Sequence, residues 1–145
     1  MLEVLTSSSN AEPFFDGYTN KNTMSYSYKN HTAPIKELER IWENEWGGKA
    51  FFSHGTKHSK GVITLINPSV NFKVENVIPD KQGSFIILKL SLEEKAIVLV
   101  KVYTPNDVAQ QVVFFKRLNQ QLEEFAQDTI VNGGDFNCAL TMYCI

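Results

Sequence analysis

Two apolar runs, "SFIILKL" at 84–90 and "AIVLVKVY" at 96–103, constrain the fold of this chain more than any other feature. Successive side chains on a strand point to opposite faces, so a strand wetted on one side alternates apolar and polar residues. These runs do not alternate, and Ile and Val dominate them. They read as strands inside a sheet, of the kind covered on both faces. The link "LEEK" (92–95) is short and polar, as a hairpin turn should be.

Further strands precede them. "KAFFS" (49–53) is one, and "GVITLI" (61–66) is a second, ended by Asn67-Pro68. "NFKVENVI" (71–78) alternates, with Phe72, Val74 and Val77 or Ile78 apolar, and "PDKQG" (79–83) is a second hairpin turn. Four or five successive strands are therefore expected to run mainly antiparallel. "TIV" (129–131) is a last short strand, leading into Asn132-Gly133-Gly134-Asp135.

Two stretches have the helical period. In "HTAPIKELERIWENEWGG" (31–48), Thr32 can cap and Pro34 suits a first turn. Ile35, Leu38, Ile41, Trp42 and Trp46 form an apolar stripe, and Gly47-Gly48 stops it. Glu37, Glu39, Glu43 and Glu45 read as its solvated face. The second helix starts at Asp107, a good N-cap after Pro105. Val108, Val112, Phe115, Leu118, Leu122 and Phe125 then recur at spacings of three and four, as in a helix packed on a sheet.

Residues 1–31 differ. They are rich in Ser, Asn, Thr and Gly without a sustained period, and are expected to be a loop or a poorly ordered, unrelated segment. Tyr26 and Tyr28 alternate with polar residues, which permits a short strand. Residues 32–145 then form one domain, and 145 residues give room for only one. Composition is ordinary for a globular protein, at 43% hydrophobic and 21% charged. Net charge is −2, so any affinity for nucleic acid must come from a local basic patch. The two cysteines, Cys138 and Cys144, make neither a disulfide framework nor a paired metal motif. Reduced thiols, no signal-peptide pattern in "MLEVLTSSSN" and no apolar run of about 18 residues point to the nucleus or cytoplasm.

Three segments hold polar residues at strand ends, where a sheet can aim a side chain. "SHGTKHSKGV" (53–62) gathers His54, Lys57, His58 and Lys60 in a Gly-containing loop. It reads as either a phosphate-contact patch or a solvated hairpin loop. With no acidic or cysteine partner in the loop, the two histidines do not make a zinc site. "VYTPN" (102–106) ends a buried strand at Tyr103, whose hydroxyl can bond across a corner or face a substrate oxyanion. "GGDFN" (133–137) has glycines that permit close approach of a ligand. On extended backbone, Asp135 and Asn137 point the same way. A carboxylate beside an amide suits holding a cation or taking a proton from water.

In order, "HSKGV", "VYTPN", a helix and "GGDFN" resemble the endonuclease/exonuclease/phosphatase superfamily. The stretches "IWENEWGGKAFFSHGTKHSKGV" and "VVFFKRL" look most like the endonuclease domain of non-LTR (LINE-type) retrotransposons. The resemblance covers about residues 35–140. It implies a DNase I-like, two-sheet α/β sandwich of mostly antiparallel strands packed on helices, with the site on loops at one edge. It also implies magnesium-assisted attack of water on a phosphodiester, with DNA as partner. Asp135 would position or deprotonate the water and hold the metal. Asn137 would hold Asp135 or the phosphate, and Tyr103 would face charge developing on phosphate. Asn106 would contact a phosphate, and the loop with His58 and Lys60 would lie against nucleic acid. The family pattern also has a Gln-Glu-Thr segment with the principal magnesium ligand and a Ser-Asp-His segment with the catalytic histidine. Neither is matched here. The expectation is a truncated endonuclease domain, inactive alone. The alternatives are a non-catalytic nucleic-acid-binding or interaction fragment, or a phosphatase of the same superfamily.

Overall fold

The computed structural model describes residues 23–29, 35–55 and 60–137. The elements in chain order are β1 (Thr23–Lys29), α1 (Ile35–Trp46), β2 (Lys49–Ser53), β3 (Lys60–Ile66), β4 (Lys73–Pro79), β5 (Phe85–Leu92), β6 (Lys95–Tyr103), α2 (Val108–Leu122), a 3-10 turn (Glu123–Phe125) and β7 (Thr129–Asp135). The strands form two sheets, ordered β1-β3-β2 and β4-β5-β6-β7. Thr32, Pro34, Cys138 and Cys144 lie outside the described residues.

The sheets pack face to face, with one helix on each outer side. Val62 and Ile66 of β3 meet Ile86, Leu88 and Leu90 of β5 and Leu99 of β6 between the sheets. Phe85, Ile87, Val98, Val100 and Val102 point the other way, onto Phe114, Leu118 and Phe125. That division explains the two apolar runs. Both faces of β5 and β6 are covered, one by α2 and the other by the opposing sheet. Behind the first sheet, Trp42 and Trp46 of α1 cover Ala50, Ile63 and Leu65. The Trp46 indole N–H donates to the Ile66 carbonyl at 2.7 Å. A Cβ on Gly48 would lie 2.7 Å from that same oxygen, so the helix ends in a residue without a side chain.

Four details depart from the expected pattern. The successive strands do not form one meander, because the chain crosses between sheets after β3, at a turn in which Asn67 Oδ1 accepts from the backbone and hydroxyl of Ser69. β1, the strand that the alternation at Tyr26 and Tyr28 permits, is longer than that and pairs antiparallel with β3 from Thr23↔Ile66 to Lys29↔Lys60. β7 runs parallel to β6, as it must when a helix carries the chain across between them. In β4 a bulge between Val74 and Asn76 shifts the phase. Phe72 therefore faces the opposing sheet and Ile78 faces the α2 side, while Val74 and Val77 are exposed.

The buried stripe of α2 is also turned from the expected one. Val108 and Val112 are 72% and 66% exposed, and Phe114 takes their place in the core. Ile41 of α1 is likewise exposed. Among the described residues, no helix is long and apolar enough to cross a membrane.

Candidate active site

The parallel pairing of β6 and β7 builds the site. Its last register pair is Tyr103↔Asp135, which sets the two residues side by side at one edge of the sheet. Beyond it, Thr104 N–H donates to the Asp135 carbonyl at 2.8 Å, so the strands separate only past the site. Gly134 makes this closeness possible. Its φ is +142°, and a Cβ there would lie 2.0 Å from the Val102 carbonyl oxygen.

Asn137 closes the turn. Its backbone N–H donates to Asp135 Oδ1 at 3.1 Å, and its side-chain amide donates to the Thr104 carbonyl at 2.5 Å. Its φ of +44° is a left-handed value that Asn tolerates better than most residues. Asn137 thus holds the Asp135 carboxylate through its main chain and anchors the loop through its side chain. Gln111 of α2 pins both loops from behind. Its amide donates to the Pro105 carbonyl at 2.8 Å and to the Asn137 carbonyl at 3.2 Å.

Asp107 caps α2, accepting from Gln110 N–H at 2.9 Å, and Asp128 pairs with Lys89 at 2.9 Å. Both carboxylates are structural, as is Asp80. Asp80 is buried in the turn before β5 and accepts from Ser84 N–H at 3.0 Å and from the Arg117 guanidinium at 3.1 Å. Asn106 is exposed, one residue before the α2 cap.

The loop after β2 reaches the same edge. Ser53 donates its hydroxyl hydrogen to the Asp80 carbonyl at 2.9 Å. A Cβ on Gly83 would lie 2.4 Å from Gly55 N, and Tyr103 N–H donates to the Ser84 carbonyl at 2.8 Å. One chain of contacts therefore runs from the loop through the Asp80 turn to Tyr103. His54 is engaged there: its Nε2 lies 2.6 Å from Glu39 Oε1 and its ring stacks on Phe52. Glu39 is thus more than a solvated residue. Lys57 and His58 lie outside the described residues, and Lys60 opens β3 opposite Lys29.

Sequence reasoning missed Gln111, Thr104 and Lys101. Thr104 is fully buried, and its hydroxyl has no hydrogen-bond partner among the described residues. Lys101 is 4% exposed in the middle of β6. Burial pushes its ammonium pKa down from 10.5 to about 8, opposed by the Asp135 carboxylate. The strand run that marks β6 as buried could have flagged Lys101, since a lysine there has no wet face.

A magnesium ion holds its waters strongly and is usually bound through carboxylates in near-octahedral geometry. Among the described residues, no three His, Cys, Asp or Glu side chains cluster in a way that could hold a metal. Of the described carboxylates toward this edge, Asp107 caps a helix, Asp80 pairs with Arg117 and Glu39 is held by His54, which leaves Asp135. The described residues therefore do not by themselves fit a magnesium site.

No known family profile matches the chain. It is 33% identical over 119 residues to the transposon TX1 uncharacterized 149 kDa protein of Xenopus laevis. That match covers 81% of this chain and 9% of the transposon protein. ANGEL2, a 2',3'-cyclic phosphatase in complex with adenosine-2',3'-vanadate, superposes with a TM-score of 0.60 at 14% identity, covering 83% of this chain and 41% of that one. D. rerio TDP2, complexed with single strand DNA product, gives 0.54 at 12% identity, covering 82% and 49%. The human Nocturnin catalytic domain gives 0.53 at 14%, covering 83% and 53%. The chain thus spans about half the length of these solved structures and a small part of the transposon protein. The chain is thus similar to a part of a transposon protein and carries the DNase I-like, two-sheet α/β sandwich fold of these solved structures.

Proposed function

We propose that this chain is part of a metal-dependent phosphodiesterase, a DNA endonuclease domain of retrotransposon type, and that it does not cleave DNA alone. The observation that carries the reading is the convergence of Tyr103, Asp135 and Asn137 at one sheet edge. Asp135 accepts a proton from, or orients, the attacking water. The Asn137 main chain fixes the carboxylate oxygen for that task. Tyr103 faces the charge that grows on phosphate, and exposed Asn106 contacts a neighbouring phosphate. The loop with His58 and Lys60 lies along the nucleic acid. The single-stranded DNA held by the zebrafish TDP2 structure is consistent with such a partner. Magnesium would need carboxylates besides Asp135.

A phosphatase reading draws support from ANGEL2, named as a 2',3'-cyclic phosphatase. A non-catalytic binding fragment draws support from the lone carboxylate at the edge. The test is incubation of the purified chain with supercoiled plasmid in magnesium, alongside anisotropy with labelled DNA. Salt-dependent binding without relaxed plasmid is expected. Relaxation by the wild type but not by Asp135→Ala would show a complete site and refute inactivity. Absence of DNA binding at low salt would remove DNA as the partner.

A further inference from the structure

The register of the second sheet puts an unusual group beside Asp135. Along the face that looks into the inter-sheet interior, β6 presents Ile97, Leu99, Lys101 and Tyr103, and β7 presents Val131, Gly133 and Asp135. Lys101 is opposite Gly133 on one side and Ile86 on the other. Gly133 has no side chain, so the next group along β7 on that face is the Asp135 carboxylate. Leu99, Ile86 and the opposing Val62 make the rest of these surroundings apolar. Thr64, between Val62 and Ile66 on the facing side of β3, is buried, with its hydroxyl unpartnered among the described residues. The other acidic side chains toward this end of the sheet are committed: Asp80 to Arg117 and Asp107 to the α2 cap.

We propose that Lys101 is the resident cation of this edge, a positioning residue whose ammonium neutralises Asp135 and competes with a divalent cation for it. The inference rests on the reading of Asp135 as the metal-facing carboxylate, and adds a charge to the lack of further ligands as a reason the described residues do not fit magnesium. A fixed positive charge inside the sandwich is screened far less by salt than a surface lysine. It repels an incoming divalent ion while it stabilises the ionised carboxylate.

The experiment titrates Mn²⁺ into the wild-type chain and into Lys101→Met, Lys101→Gln, Lys101→Arg and the double variant Lys101→Met/Asp135→Asn. Binding is read by calorimetry and by paramagnetic broadening of the Gly133–Asn137 amides. Met conserves volume among apolar neighbours, and Gln supplies a second neutral variant if Met perturbs the fold. Both neutral variants should bind Mn²⁺ at least about tenfold more tightly than the wild type. Lys101→Arg should stay as weak as the wild type, and the double variant should lose the gain. Unchanged or weaker binding in Lys101→Met and Lys101→Gln overturns the competition. Tight binding that survives Asp135→Asn overturns instead the reading of Asp135 as the metal-facing group. An arginine variant that binds as tightly as the methionine one overturns the role of charge.

Discussion

Gly134→Ala should be among the most costly single-methyl additions this chain can take. The new Cβ would sit 2.0 Å from the Val102 carbonyl oxygen and 2.9 Å from Val102 C and N, all backbone atoms that no rotamer change can move. Relief requires β7 to retreat from β6 by roughly 1 Å, which takes the neighbouring ladder bonds out of hydrogen-bonding range. Two such bonds contribute about 1 kcal/mol each. Holding alanine at a φ of +142° adds about 1–3 kcal/mol of strain. The expected loss is about 3–5 kcal/mol, a large share of the ~5–15 kcal/mol available to a domain. Gly47→Ala is the control. Its φ is +71° and nothing lies within 4 Å of the added carbon, so it loses only about 1–2 kcal/mol. Urea unfolding followed by circular dichroism gives both values from the midpoint and slope. Equal losses at the two glycines, or less than about 1 kcal/mol at Gly134, would refute the argument that backbone contact holds this edge closed.

Other outcomes follow from single features. Glu93 and Glu94 sit at φ +49° and +67° in the two-residue turn joining β5 to β6. Replacing them with Asn-Gly, which suits such a turn, should raise stability by about 1 kcal/mol or more, and an unchanged melting temperature would contradict this. Lys101 titrates near 8 in the folded chain and at its ordinary 10.5 when unfolded. Below pH 8 both states are protonated and the cost of burying the charge is constant. Between 8 and 10.5 the unfolded state binds more protons, so stability contributed at this site rises with pH, by up to about 3 kcal/mol. Unfolding of wild type and Lys101→Met across that range should therefore converge, and parallel curves would count against it.

The layering was legible because it follows from one physical fact: β5 and β6 have no wet face, so both sides had to be covered. Strand order within each run and the Asp107 cap were equally readable. The face of α2 was not. Val108 and Val112 carry the helical period but point to water, while polar Gln111 turns inward to satisfy two loop carbonyls. Periodicity counts apolar residues and cannot see a carbonyl that needs a donor. The bulge in β4 was hidden for a similar reason, since one extra residue reverses the faces without changing composition. The meeting of Tyr103, Asp135 and Asn137 at one sheet edge was expected from their motifs, whereas Lys101 became visible only once the register placed it beside Gly133.

Chemical-shift mapping tests the central claim most directly. A ¹⁵N-labelled chain is titrated with a short single-stranded DNA at low salt. Amides of Tyr103 and Thr104, of Asn106, of Gly133 to Asn137 and of the loop between β2 and β3 should shift together, with the perturbations reduced by added salt. Shifts centred instead on the exposed valines of α2, or on the α1 side of the first sheet, would contradict the account.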